Sequence, residues 1–147
     1  MRLFLGIPFS KNAKTSLNQL QKKWIPFWSD YRLTQLNNFH LTLCFIGDIS
    51  YEQVSLFSDS LKKLASNYHP FQLEWNGIDQ FEKYNKAIVY SPIVNGASKL
   101  HRLSTSIKEC LHKNGISFDS APFKAHITLA RNVRWITPQT TFPILSE

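Results

Sequence analysis

Residues 40–43 (HLTL) and 126–129 (HITL) carry two copies of one pattern: histidine, an apolar residue, threonine and leucine. In an extended chain, residues i and i+2 point to the same face. Each copy therefore predicts a strand that presents an imidazole and a hydroxyl side by side, with apolar side chains behind them. The side chains expected to point into the core are Leu41, Leu43, Ile127 and Leu129.

The polar side chains of the two copies suit acid–base cleavage of a phosphodiester. Because the ordinary pKa of histidine is about 6.5, one neutral imidazole can accept a proton while a protonated one donates to the leaving oxygen. Threonine hydroxyls can donate to the phosphate oxygens on which charge develops. The candidate catalytic residues are His40, Thr42, His126 and Thr128. A zinc site is the alternative, but no cysteine or carboxylate lies at ligand spacing and threonine is a poor zinc ligand.

Helical and extended patterns surround the two copies. Apolar residues at helical spacing predict three helices: over about 10–24, after a capping box of Ser50 and Gln53, and between Gly96 and Asn114. Extended patterns predict strands at residues 2–7, 39–46, 70–75, 86–91 and 125–130, with a polar loop joining the third and fourth. Because each half runs from a helix through a loop into a strand that begins at histidine, the order indicates two related lobes in one compact α+β domain.

Composition limits the class of protein. The chain has 147 residues and a formal net charge of +7, from 17 lysines and arginines against 10 aspartates and glutamates. This size predicts one domain, and the excess of positive charge favours an anionic partner, with a general solubilising charge as the alternative. No run approaches the ~18 apolar residues of a membrane span. Two cysteines make no disulfide framework, so a cytoplasmic location is expected.

The chain resembles the two-histidine phosphoesterase superfamily, and within it the LigT-like RNA 2′,3′-cyclic phosphodiesterases, also called 2′-5′ RNA ligases. Three stretches carry the resemblance in the family's order: residues 2–7 (RLFLGI), 40–47 (HLTLCFIG) and 123–131 (FKAHITLAR). The resemblance implies one two-lobed domain over residues 1–147. Its expected fold is α+β, with pseudo-two-fold antiparallel sheets and outer helices around a central cleft.

The same resemblance implies an activity and roles for the candidate residues. It implies hydrolysis of a 2′,3′-cyclic phosphate to a 2′-phosphate with no metal or cofactor, and 2′-5′ RNA ligation as the reverse reaction. His126 would be the general base and His40 the general acid, although pseudo-symmetry can exchange these roles. Thr42 and Thr128 would hold the phosphate. Arg131 would contact the substrate. Because strict alternation along the strand points Arg131 away from His126, this role requires a strand end or a bulge near Arg131. The alternative is that Arg131 is an ordinary surface arginine.

Two departures from the family pattern stand out. Ala125 replaces the usual proline before the second motif, which is compatible with an extended strand. The family continues for roughly two more strands beyond the point reached by residues 142–147, so an uncovered sheet edge is expected. A monomer is expected, and three interpretations stay open: a partner chain covers that edge, the protein is less stable than its relatives, or the sequence is a shortened form.

The expected binding partners are RNA ends or small cyclic nucleotides. Two other functions stay open from sequence: a non-catalytic RNA- or nucleotide-binding module, and a cyclic phosphodiesterase for another small nucleotide.

Overall fold

The computed structural model describes residues 2–137, and their fold is α+β with antiparallel sheets, as predicted. In chain order the elements are β1 (Arg2–Pro8), α1 (Lys11–Trp24), β2 (Trp28–Leu33), β3 (His40–Asp48), α2 (Tyr51–Ser66), β4 (Glu74–Trp75), β5 (Asp79–Lys83), β6 (Lys86–Asn95), α3 (Ala97–Lys113) and β7 (His126–Trp135). Short 3-10 helices lie at Ile25–Phe27 and Leu36–Asn38. The strand expected to begin near residues 142–147 lies outside the described residues.

The helices begin and end where side chains satisfy their terminal backbone groups. In the predicted capping box of α2, Ser50 Oγ accepts the Gln53 N–H at 3.3 Å and Gln53 Oε1 accepts the Ser50 N–H at 3.2 Å. Ser10 Oγ accepts a backbone N–H of the first turn of α1 at 3.2 Å. After α3, Asn114 is followed by Gly115 with a φ of +69°, a conformation that glycine adopts without strain.

The chain forms two compact units, and the first comprises residues 2–7, 41–76 and 93–126. In it, β1 pairs with β3, β4 pairs antiparallel with the end of β6, and α2 packs against α3. Tyr68, just after α2, shares a hydrogen bond of 2.8 Å with Ser106 of α3. The buried apolar side chains of this unit include Leu41, Leu43, Phe57, Leu100 and Leu111.

The second unit comprises residues 8–40, 77–92 and 127–137. Here β7 lies between β2 and β6, and β5 forms an antiparallel hairpin with β6. The Trp135 ring meets Trp24 and Trp28 edge to face, with centroid distances of 5.9 and 6.0 Å. This aromatic cluster adds to the aliphatic core, which includes Leu17, Val89, Ile127, Leu129 and Val133.

Two strands are missing from the prediction and three have substantially different bounds; one of these three, predicted over 86–91, continues to Asn95. The stretch that becomes β2 gave no strand signal because only its first residue is buried. The stretch that becomes β5 lies in the predicted polar loop, since its sequence is mostly charged or amide-bearing. The strand predicted over 70–75 is reduced to Glu74–Trp75, and the strand predicted over 125–130 continues to Trp135.

Candidate functional site

Both motif histidines occupy the first position of a strand. His40 begins β3 and His126 begins β7, and the first six residues of the two strands share one burial pattern: half-buried, buried, half-buried, buried, buried, exposed. The apolar residues at the second and fourth positions are between 0% and 7% exposed, which confirms the predicted core positions Leu41, Leu43, Ile127 and Leu129. The duplication in the sequence is therefore a duplication of local structure.

Each imidazole is held by the backbone carbonyl two residues before it. His40 Nδ1 lies 2.7 Å from the carbonyl oxygen of Asn38, and His126 Nδ1 lies 2.5 Å from that of Lys124. A carbonyl oxygen can only accept, so Nδ1 carries the hydrogen in both rings. Nε2 is therefore the basic nitrogen of each neutral imidazole. The two rings therefore share one tautomer, set by the same kind of backbone contact.

A buried polar side chain from a helix holds each strand at the motif leucine. Ser104 Oγ of α3 donates to the Leu43 carbonyl at 2.9 Å, and Gln21 Nε2 of α1 donates to the Leu129 carbonyl at 2.8 Å. Ser104 and Gln21 are only 1% and 2% exposed. Sequence reasoning missed both, although each interrupts the apolar stripe of an amphipathic helix. That interruption is the signal that could have found them.

The second copy is also fixed by Thr34, which follows β2. Its N–H donates to the Leu129 carbonyl at 2.9 Å, and its Oγ1 donates to the Thr128 carbonyl at 2.9 Å. Gln21 Nε2 in turn donates to the Thr34 carbonyl at 3.0 Å. Thr34 and Gln21 therefore hold the carbonyls of Thr128 and Leu129.

Thr42 and His126 line one pocket in the first unit, with a volume of about 180 Å³. Its lining includes two cationic residues, Lys108 and Lys124, one anionic residue, Asp119, and the aromatic Phe123. The structure thus brings the threonine of the first copy and the histidine of the second together in one pocket, whose lining has an excess of one positive charge over negative charge apart from the histidine.

Local hydrogen bonds hold the loop that closes this pocket. The Asp119 N–H donates to the Phe45 carbonyl at 2.9 Å, and Asp119 Oδ1 accepts the Ala121 N–H at 2.9 Å. Lys108 Nζ donates to the Ala121 carbonyl at 3.2 Å. The loop is therefore tied to β3 and to α3 on either side of the pocket.

Cys44 also lines the pocket, but its chemistry does not suit it to be a nucleophile. Its side chain is 4% exposed. Burial raises the pKa of the Cys44 thiol above its usual value; Lys108 lowers it and Asp119 raises it further by smaller effects. The thiol therefore stays protonated at neutral pH, whereas a nucleophilic cysteine needs a depressed pKa.

Arg131 lies next to a β-bulge in β7, and contact of Arg131 with substrate requires a strand end or bulge there. Asn132 has a φ of +52°, and the pairing of β7 with β2 shifts register between the Arg32–Arg131 pair and the Asp30–Arg134 pair. Arg131 is exposed and lines a pocket of the second unit together with Arg134. The alternation of burial already breaks before Arg131, since Leu129 and Ala130 are both buried, and the bulge follows directly after Arg131.

Two further findings concern metals and membranes. Among residues 2–137, no group of three or more histidine, cysteine, aspartate or glutamate side chains is arranged to hold a metal ion. Within the same part of the chain, no helix has the length and apolar character needed to cross a bilayer.

Comparison with known protein families gives one match that spans most of the chain. The profile of the 2′-5′ RNA ligase superfamily matches residues 9–147. An RNA 2′,3′-cyclic phosphodiesterase of Bacillus subtilis (strain 168) is 27% identical over 140 residues, which is 95% of this chain and 74% of that protein. An RNA 2′,3′-cyclic phosphodiesterase of Archaeoglobus fulgidus is 27% identical over 131 residues, covering 89% of this chain and 72% of that protein.

Solved structures share the fold. A protein of Thermus thermophilus superimposes with a TM-score of 0.78 and 25% identity, covering 97% of this chain and 79% of its own. E. coli LigT in its apo form superimposes with a TM-score of 0.69 and 22% identity, covering 97% of this chain and 76% of its own. The fold class predicted from sequence is thus confirmed by structures as well as by the family profile.

Proposed function

Because this chain belongs to the 2′-5′ RNA ligase superfamily, we propose that it hydrolyses the 2′,3′-cyclic phosphate at RNA or nucleotide ends to a 2′-phosphate. The observation that carries the proposal is the matched setting of His40 and His126. Each ring begins a strand, donates from Nδ1 to a backbone carbonyl and presents Nε2 as its basic nitrogen. Relatives from several bacteria and archaea are named RNA 2′,3′-cyclic phosphodiesterases. E. coli LigT, which shares the fold, has been solved with 3′-AMP and with ATP.

The proposed reaction is a single displacement at phosphorus. His126 Nε2 takes a proton from water, and the water oxygen bonds to phosphorus. The bond from phosphorus to O3′ breaks, and O3′ takes a proton from Nε2 of protonated His40. The products are a 2′-phosphate and a 3′-hydroxyl, and the two histidines have exchanged protonation states, which solvent restores. If a 5′-hydroxyl of RNA replaced water, the same step would form a 2′-5′ linkage.

Thr42 and Thr128 are proposed to hold the non-bridging phosphate oxygens. Each follows its histidine by two residues and shares its half-buried face. Hydroxyl donors placed where charge develops stabilise the transition state more than the ground state. Lys108 and Lys124 line the pocket with Thr42 and His126, and their two positive charges exceed the one negative charge of Asp119. These groups supply the proton transfers and charge stabilisation from side chains, so turnover is expected to persist in EDTA.

The test is hydrolysis of a 2′,3′-cyclic mononucleotide in EDTA, with the phosphate position of the product assigned by ³¹P NMR. The wild-type protein is expected to give the 2′-phosphate. His40→Gln and His126→Gln are each expected to lower kcat by about 10²–10⁴-fold. The matched control is His112→Gln, an exposed histidine of α3, which should retain wild-type turnover.

Several results would count against the proposal. A 3′-phosphate product would contradict the assigned direction of cleavage. Full activity in His40→Gln would contradict the paired mechanism. A folded, inert wild-type protein that still binds RNA would favour the non-catalytic binding module instead.

A further inference from the structure

The second unit carries a basic pocket that the proposed chemistry does not use. Its volume is about 540 Å³, and it lies between the tip of the β5–β6 hairpin and the bulged part of β7. Four cationic residues line it: Lys83, Lys86, Arg131 and Arg134. Among the described residues that line it there is no carboxylate. Two carboxylates lie beside lining residues in the pairing register: Glu82 of β5 lies opposite Ala87, and Asp30 of β2 lies opposite Arg134.

Like charges face each other across the strands of this region. Lys83 is paired with Lys86 at the end of the hairpin, and Arg131 is paired with Arg32 of β2. Like charges directly opposite each other destabilise a sheet. Folding therefore does not account for this concentration of cations, whereas an anionic ligand would relieve the repulsion.

The hairpin tip places a bulky aromatic residue in the left-handed backbone region, which such residues rarely adopt, and leaves its ring exposed. Tyr84 has a φ of +60° and is 94% exposed, and Asn132 across the pocket has a φ of +52°. Among residues 2–137 these are the two non-glycine residues with positive φ, and both line this pocket. Strained backbone that persists in a folded protein is concentrated at binding and catalytic sites.

We propose that this basic pocket is a subsite for single-stranded RNA, with the cations on successive phosphates and the Tyr84 ring stacked on an unpaired base. A cationic groove combined with an exposed aromatic ring is the arrangement that recognises single strands, because every base has a face on which an aromatic ring can stack. A duplex keeps its bases stacked inside and offers Tyr84 no such face. The proposal rests on the proposed function in one respect: it assigns an oligonucleotide, and not only a mononucleotide, as the substrate.

Direct binding tests the subsite without any turnover. The probe is a fluorescent, unstructured oligouridylate with an ordinary 3′-hydroxyl end, titrated by anisotropy over a series of salt concentrations. Lys83→Gln combined with Lys86→Gln removes two proposed phosphate contacts. The slope of log Kd against log salt should become shallower by roughly 1.4, since each phosphate contact with a single strand contributes about 0.7.

The matched control has the same charge change on an exposed part of the same unit. Lys22→Gln combined with Lys23→Gln alters two exposed lysines of α1, and it should leave the slope within error of wild type. Equal losses in the two double variants would overturn the subsite, because binding would then follow net charge alone.

Tyr84→Gly separates stacking from charge. Glycine accepts the positive φ without strain, so the hairpin should keep its backbone while losing the ring. Affinity for the single strand should fall about 5-fold or more. Affinity for the same strand annealed to its complement should not change. A variant that binds the single strand as tightly as wild type does would overturn the stacking role.

Kinetics separates failure of the subsite from failure of the proposed function. With an oligonucleotide that ends in a 2′,3′-cyclic phosphate, the Lys83→Gln/Lys86→Gln variant should show a raised KM. With a 2′,3′-cyclic mononucleotide it should match wild type. If wild type hydrolyses the mononucleotide and the variant matches it on both substrates, the subsite is wrong and the function stands. If wild type hydrolyses neither, the function is wrong, and the anisotropy titration alone decides the subsite.

Discussion

Replacing Gln21 by methionine tests whether a buried amide stabilises the strand that carries His126. Gln21 is 2% exposed, and its Nε2 donates to the carbonyls of Leu129 and Thr34 at 2.8 and 3.0 Å. Methionine keeps the length of the side chain and its apolar contacts but cannot donate. Leu129 is the last residue of the second motif and follows His126 by three residues in β7, so the lost bonds release backbone within that motif.

The expected cost follows from those two bonds. A net contribution of about 0.5–1.5 kcal/mol for each gives a loss of about 2 kcal/mol in the free energy of unfolding. The Thr34 N–H still donates to the Leu129 carbonyl at 2.9 Å in the variant. The loss therefore does not include the cost of a buried carbonyl without any donor. For a chain of 147 residues, this corresponds to a fall in Tm of about 4–8 °C.

The assay is urea unfolding followed by far-ultraviolet circular dichroism and tryptophan fluorescence. The midpoint should fall while the slope m stays constant, because the exposed surface on unfolding does not change. The control is Gln19→Met, the same substitution at an exposed position of the same helix, which should stay within about 0.5 kcal/mol of wild type. Equal midpoints for Gln21→Met and Gln19→Met would refute the reasoning.

Three further predictions follow from single side chains. Tyr84→Gly should raise the Tm by about 1–4 °C by relieving a φ of +60°; Tyr84→Ala, which keeps a Cβ there, should not. Burial, and then the carboxylate of Asp79, raises the pKa of Tyr90. Because the folded state then holds this proton more tightly than the unfolded state, the free energy of unfolding should decrease as pH rises above about 10. Urea midpoints measured on either side of this pH give the decrease. It should be smaller in Asp79→Asn than in wild type, because the variant lacks the carboxylate that raises the Tyr90 pKa. The Cys44 thiol is buried and its pKa is raised, so it should resist iodoacetamide until the protein unfolds. Mass spectrometry of Cys110→Ser, in which Cys44 is the remaining cysteine, measures this reaction. Prompt alkylation of the native variant would contradict the prediction.

The helices and the motif strands could be predicted because their signals are local. The capping box of Ser50 and Gln53 and the alternation around Leu41 and Ile127 need only neighbouring residues, and the structure confirms them. The resemblance to LigT-like proteins, which those motif strands carry, is likewise confirmed by the family match and by the solved structures.

The missed features depend on partners that are distant in sequence. β2 and β5 are held by backbone pairing, and their side chains are mostly exposed, so no apolar alternation marks them. Gln21 finds the Leu129 carbonyl 108 residues away, which no local pattern could indicate. The bulge at Asn132, which alters the course of β7 next to Arg131, also depends on pairing with β2. Local propensity carries no information on such register shifts.

The pH dependence of kcat/KM for a 2′,3′-cyclic mononucleotide tests the acid–base pair most directly. Wild type should give a bell-shaped profile, because the base must be neutral and the acid protonated. His126→Gln, which lacks the base, should lose the limb that rises with pH, and His40→Gln, which lacks the acid, should lose the limb that falls. A flat wild-type profile, or a bell retained in either variant, would contradict the assignment of His40 and His126 as the catalytic pair.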